Sequence, residues 1–347
     1  MRKLLLTIVL LAYFVLPVSA MEFEAPQAPD SAVDTMPDEG ATFSEGLWYI
    51  VKKGISKAWP DVTDAATVCL SIVAVVMLIS ITDCFAEGIQ HVIDLVGTLI
   101  ISTILLSTTR SMIGLGTETV YSISEYGKLL MPVLTAAMAA QGGVTSSSAL
   151  YAGTMLFDSL LTSFIAKLLV PLIYIYLCLS IANRSSTQTL IGNLQESTKK
   201  TAIWMLKTIL YIFTGYIAVT GVVSGTTDAS ALKAAKLTIS GAVPVVGSIL
   251  SDASEAVLVG AGVLRNAAGI YGLFAVLAVW VGPFLRIGAH YLLLKMTVSF
   301  CGVIGRKQTI GILKDFCTAM GLILAMVGAS CVLQLISIVC FLRGVGT

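Results

Sequence analysis

Residues 239–264 read I-S-G-A-V-P-V-V-G-S-I-L-S-D-A-S-E-A-V-L-V-G-A-G-V-L, and the way this stretch folds decides the architecture. It is apolar enough for a membrane, yet it is broken by Gly241, Pro244, Gly247, Gly260, Gly262 and the polar patch Ser251, Asp252, Ser254, Glu255. At bilayer depth, irregular backbone and carboxylates are tolerated only against protein or a wet cavity. The stretch therefore predicts two short helical arms meeting at a polar tip, not one straight span. Pro244 removes a backbone donor and obstructs a continuous helix. Asp252 is placed to cap the second arm, with Glu255 three residues on completing a variant capping box. The other reading of the same patch is a tip that lines a solute path or contacts a partner.

Composition sets the class. Of 347 residues, 56% are hydrophobic and 12% charged, about half the charged share of soluble domains. The chain reads as an integral membrane protein. Its net charge of +1 gives no basic face for nucleic acid. The seven cysteines are odd in number, lie in or beside apolar runs and show no C-x-x-C spacing, which argues for packing residues over a disulfide framework or a zinc site.

The N-terminus has the form of a secretory signal: Arg2 and Lys3, an apolar core from Leu4 to Leu16, Pro17, then Val18-Ser19-Ala20 with cleavage after Ala20. An uncleaved anchor is the alternative. In either case the chain that follows starts outside the cytoplasm. Residues 21–45 are acidic and proline-bearing and are expected to be disordered. Residues 46–60 place Leu47, Ile50, Val51 and Ile55 near helical spacing among Trp48, Trp59 and three lysines, which suggests an amphipathic helix lying on the membrane surface. A transmembrane hairpin is expected over 66–108, and Arg110 to Gly127 reads as an interfacial connection.

The remainder suggests a duplication. Pro132 and Pro171 stand 39 residues apart, as do Pro244 and Pro283, so both pairs align at a shift of 112. The connectors beginning Gln188-Thr189 and Gln308-Thr309 also correspond, and each carries basic residues. The repeats are 128–223 and 239–343, each a broken hairpin, a long span, a basic connector and a final span. The positive-inside rule puts both connectors in the cytoplasm, which makes the repeats parallel. Between Asn266 and Ile304 there is room for one long kinked span or two shorter ones. The fold class is thus an all-α polytopic membrane protein of six to eight transmembrane helices with two broken or re-entrant hairpins.

Charges within spans are the best pointers to a site, because each costs ~2.5–3.5 kcal/mol at a helix centre on insertion scales. Asp158, Lys167, Lys207, Arg286 and Lys295 qualify. The long cations have snorkelling as an alternative, whereas Asp158 is too short for it and calls for a partner or a cavity. Candidate structural or pathway residues are therefore Pro244, Gly247, Asp252, Glu255, Pro132, Asp158 and Arg286. No catalytic, metal or cofactor constellation is present: H-E-x-x-H, G-x-S-x-G and Walker A motifs are missing, and the only imidazoles are His91 and His290. An enzyme is not expected.

The run S-G-A-V-P-V-V-G-S at 240–248, followed by S-D-A-S-E at 251–255, behind a signal and within a many-helix body, resembles the stage III sporulation protein AE family. The resemblance implies work with other stage III sporulation membrane proteins, a cytoplasmic ATPase and a forespore-membrane partner. It implies a place in the mother-cell membrane facing the forespore, in a channel or secretion-like complex that sustains forespore development and late gene expression. A stand-alone secondary transporter and a non-conducting scaffold are the competing readings.

Overall fold

The computed structural model of the chain describes residues 26–38, 42–85, 89–185, 189–242 and 247–343, with side chains described outside 83–84, 189, 219–242, 247–262, 264 and 343. A one-turn helix α1 (Asp30–Val33) is followed by α2 (Phe43–Phe85), α3 (Gln90–Ala140) and α4 (Val144–Phe164). A π-helical turn (Ile165–Leu169) joins α4 to α5 (Val170–Ser185), after which come α6 (Thr189–Ala242), α7 (Gly247–Ile304) and α8 (Lys307–Arg343). The predicted signal, residues 1–20, lies outside the described residues.

Among the described residues, six helical runs are long and apolar enough to cross a membrane, the α4–π–α5 run counting as one. This is an all-α polytopic membrane protein. α3 has 51 residues and α7 has 58, about 75 and 85 Å at 1.5 Å per residue. Both exceed the ~30 Å hydrocarbon core more than twofold.

Several expectations change. Residues 26–38 are docked: Ala32 is fully buried, Ala28 and Thr35 nearly so, and the Ala28 amide donates to Tyr271 Oη. Small side chains at 28, 32 and 35 let an acidic, proline-bearing segment lie close on the helices. Residues 46–60 are no separate helix but the first part of α2, where Gly46, Ile50, Gly54 and Ala58 at four-residue spacing form a stripe against α7. Phe274 and Val281 sit where Cβ atoms at Gly46 and Gly54 would be, the close approach small residues permit in membrane helices. Arg110 to Gly127 is the middle of α3, not a connection, since its three glycines are too few to stop a helix packed along α8.

The hairpin breaks also move. Pro132 lies inside α3, which continues to Ala140, and the turn comes at Gln141–Gly143, where Gly142 takes φ 89. Only a residue without a Cβ adopts that conformation at no steric cost. In the organising stretch α6 is described to Ala242 and α7 from Gly247, and Pro244, on which the predicted break rests, lies outside the described residues. Ser251, Asp252, Ser254 and Glu255 are within α7, and Asp252 is its sixth residue. Asp252 therefore cannot cap the second arm: residues 247–251 before it are already helical. Pro171 and Pro283 do not break their spans. The π turn precedes Pro171, with the Val170 amide bonded five residues back to Ile165, whereas α7 runs through Pro283 as one long span.

The helices alternate in direction. At one end Ser80 donates to the Ile304 carbonyl, Arg306 meets Asp94 and Arg184 meets Asp315, which gathers the ends of α2, α5 and α7 with the starts of α3, α6 and α8. Both basic connectors are therefore at the same end, as parallel repeats require. The far end carries the Gly142 turn, the α6–α7 break, the start of α2 and the end of α8.

Candidate functional site

Two ion pairs lock the basic end. Arg306 holds Asp94 bidentately, with Nη2 to Oδ2 at 2.9 Å, across 212 residues of chain. Arg184 Nε donates to Asp315 Oδ2 at 3.0 Å, and Tyr176 Oη donates to the other carboxylate oxygen at 3.3 Å. Gln195 continues the network, donating to Ser180 and accepting from Asn183, both at 2.9 Å. Bidentate arginine–carboxylate contacts are both strong and directional, so the connectors are fixed to one another.

About twenty residues up from this end, the ~30 Å of a hydrocarbon core, the helices reach Asp61 and Asp64 on α2, Arg110 on α3, Lys167 at the π turn, Lys207 on α6 and Arg286 on α7. These charges form a ring. The exposed face of α3 changes character there, from Val92, Val96, Leu99, Ile100 and Leu106 below to Glu118, Glu125 and Lys128 above. Charges that looked isolated inside separate spans thus fall at one level of the bundle, about one hydrocarbon-core thickness from the basic end. Arg286 is paired with Asp61 at 3.1 Å, and His290 Nδ1 lies 2.9 Å from the Arg286 carbonyl oxygen.

Asp158 lies above the ring on α4, 3% exposed, and accepts a 2.5 Å hydrogen bond from Ser124 Oγ of α3. This is the buried partner its short side chain called for. One turn further along α3, Gly127 faces Gln334 of α8, whose amide is 1% exposed and has no hydrogen-bond partner among the described residues. Ser330, one turn from Gln334 on α8, also lacks one. α3, α4 and α8 therefore carry a buried polar seam that is only partly satisfied.

Beside the seam are two spaces that share Glu118 and Ser122. An open groove of about 670 Å³ is lined by Arg110, Thr117, Glu118, Tyr121, Glu125 and Tyr174. A smaller cavity of about 220 Å³ lies inward, between Lys57 of α2, Thr119 of α3 and Val279 and Pro283 of α7, with Ser31 and Thr35 of the N-terminal segment on its wall. Pro283 has no amide to offer the Val279 carbonyl, and both residues line this cavity, which is wide enough for several waters. The segment that covers it is tied down by the Ala28 amide on Tyr271 Oη, by Tyr126 Oη on the Pro26 carbonyl and by Lys57 on Thr35 Oγ1 at 3.2 Å.

The structure thus gives Asp158 and Arg286 partners and leaves Pro132 within α3. Gly247, Asp252 and Glu255 have described backbone only, and Pro244 lies outside the described residues. Glu118, Glu125 and Lys57 were not singled out by sequence. Glu118 and Glu125 are seven apart on one helical face, a signal hidden once 110–127 was read as a connection. Among the described residues, no group of three or more potential metal ligands gathers.

The profile of the stage III sporulation protein AE family matches residues 46–344. Stage III sporulation protein AE of Bacillus subtilis (strain 168) is 24% identical over 207 residues, 60% of this chain and 52% of that relative. The match thus spans about half the length of the relative. No solved structure matches.

Proposed function

The chain belongs to the stage III sporulation protein AE family, and from that premise we propose that it is the polytopic membrane component of a channel or secretion-like complex between mother cell and forespore. In this reading it sits in the mother-cell membrane that faces the forespore. It acts without chemistry of its own, alongside other stage III sporulation membrane proteins, to support forespore development and late forespore gene expression.

Family membership carries the reading, and the proportions of the bundle support it. Below the charge ring is one bilayer thickness of apolar-faced helix, ending in connectors rich in Arg184, Lys199, Lys200, Arg306, Lys307 and Lys314. By the positive-inside rule that end is cytoplasmic, the side on which an ATPase would dock. Above the ring, α3 continues about 45 Å to Ala140, far enough to meet a partner from the forespore membrane. The test is co-purification from sporulating cells. Recovery of other stage III membrane proteins and an ATPase supports the proposal, and recovery of the chain alone opposes it.

The groove and cavity favour one competing reading, a self-sufficient transporter. Solute uptake by the purified chain in liposomes would establish that reading and overturn the assembly role.

A further inference from the structure

A second groove, unrelated to the polar spaces, crosses the charge ring between α2, α7 and α8. It encloses about 410 Å³, and Ile55, Trp59, Leu285, Leu292 and Leu324 dominate its wall. Its floor is Gly288 and Ala289, and a Cβ built at Gly288 would touch only Leu324 Cδ1, at 3.9 Å. From Phe284 to Leu292 the groove follows α7 for eight residues, about 12 Å. All three helices are membrane spans, so the slot opens toward the bilayer.

The polar features lie at one end. Trp59 is 65% exposed at the mouth, beside the Asp61–Arg286 pair of the ring. Lys52 is three residues before Ile55 and seven before Trp59, hence on the same face of α2 and one turn beyond the groove on the water side. It is exposed. An apolar slot below an interfacial tryptophan, with a cation just above, has the polarity of a phospholipid: tail down, phosphate up. Lys295 is the other nearby cation, its ammonium 3.5 Å from Tyr291 Oη at the lower end.

We propose that this groove is a binding site for an anionic phospholipid, which places one acyl chain over Gly288 and its phosphate at Lys52. The charge complementarity at Lys52 and the slender, wholly apolar slot select a lipid tail over a second protein helix.

The test uses the full chain in phosphatidylcholine vesicles doped with a photo-activatable phosphatidylglycerol or, in parallel, the equivalent phosphatidylcholine. The expected result is labelling concentrated on Ile55, Leu285 and Leu292, with phosphatidylglycerol favoured. Gly288→Leu fills the slot and should lower labelling about tenfold at unchanged melting temperature. Lys52→Gln should abolish the headgroup preference and keep the tail labelling. Equal labelling by both lipids, or loss of preference in Lys295→Gln instead of Lys52→Gln, overturns the assignment. So does efficient disulfide cross-linking of Gly288→Cys between two chains on a cysteine-free background, because a second copy would then occupy the groove.

Discussion

The two ends of this bundle solve the problem of buried polarity in opposite ways. At the basic end the two buried carboxylates among the described residues each have a cation from a distant helix: Asp94 has Arg306, and Asp315 has Arg184. Above the charge ring, Asp158 has one hydroxyl from Ser124, and Gln334 and Ser330 have no partner among the described residues. Paired charge fixes one arrangement, because a bidentate ion pair is both strong and directional. A half-satisfied seam is held by packing and tolerates rearrangement at lower cost. The comparison assigns rigidity to the connectors and adaptability to the region above the charge ring.

The largest effect should come from breaking the rigid end. Arg306 and Asp94 side chains are only 21% and 10% exposed, so solvent screens them little. Asp94→Ala removes the bidentate carboxylate from that guanidinium and should cost about 3 kcal/mol, read as a lower melting temperature in detergent. Joint Asp94→Arg and Arg306→Asp exchange should recover part of that loss. Equal melting of Asp94→Ala and wild type would remove the contrast on which the comparison rests.

Next in size is a packing change above the ring. Gly153 of α4 lies under Tyr216 of α6, whose ring carbon Cε1 occupies the place of a Cβ and whose hydroxyl donates to the Ala149 carbonyl at 2.8 Å. A ring held at its far end cannot swing aside. Gly153→Ala should therefore destabilise by about 1–3 kcal/mol, and Tyr216→Leu in the same chain should relieve most of the overlap. Full stability of the single variant would mean that α4 and α6 separate freely.

Gln334 tests the seam with the opposite sign. Its desolvated amide has no partner among the described residues, so the similarly shaped Gln334→Met should raise stability by about 1 kcal/mol. If the seam serves the assembled complex, this more stable protein should nevertheless sporulate poorly. A drop in melting temperature would show that the amide is satisfied in the folded protein.

How much of this was legible in sequence depends on the range of the cause. The all-α membrane fold and the shared end of the connectors rest on local apolar runs and basic residues. They could be read directly. The need of Asp158 for a partner was also legible from its short side chain, but Ser124 as that partner was not, because it comes from another helix. The Asp94–Arg306 pair spans 212 residues and has no local sign. Two misreadings share a cause: polar residues on a continuous helix were taken for ends. Glu118 and Glu125 suggested a connection and Asp252 suggested a cap. Each is a residue of a helix too long for one bilayer, which a reading organised by bilayer thickness divides.

The smallest stability effect concerns the segment over the inner cavity, and it separates what closes that cavity from what merely decorates it. Lys57 lies 3.7 Å from Asp34, but the two side chains are 43% and 80% exposed. Such a pair contributes only ~0.2–1 kcal/mol. Lys57→Gln should leave melting nearly unchanged. Lys57 also donates to Thr35 Oγ1, a bond that Gln can replace, and the segment is held chiefly by burial of Ala32 and by the contacts of Ala28 and Pro26 with Tyr271 and Tyr126. Ala32→Glu introduces an unpaired carboxylate into that contact and should lift the segment without touching the helices. The readout is Thr119→Cys on a cysteine-free background, labelled with a water-soluble maleimide, since Thr119 is 3% exposed and lines the cavity. Labelling should be slow in the parent and in Lys57→Gln, and at least about tenfold faster in Ala32→Glu. Equal rates in all three would mean that the helices themselves seal the cavity, and the adaptable region above the ring would then start at the Asp158 seam and exclude the N-terminal segment.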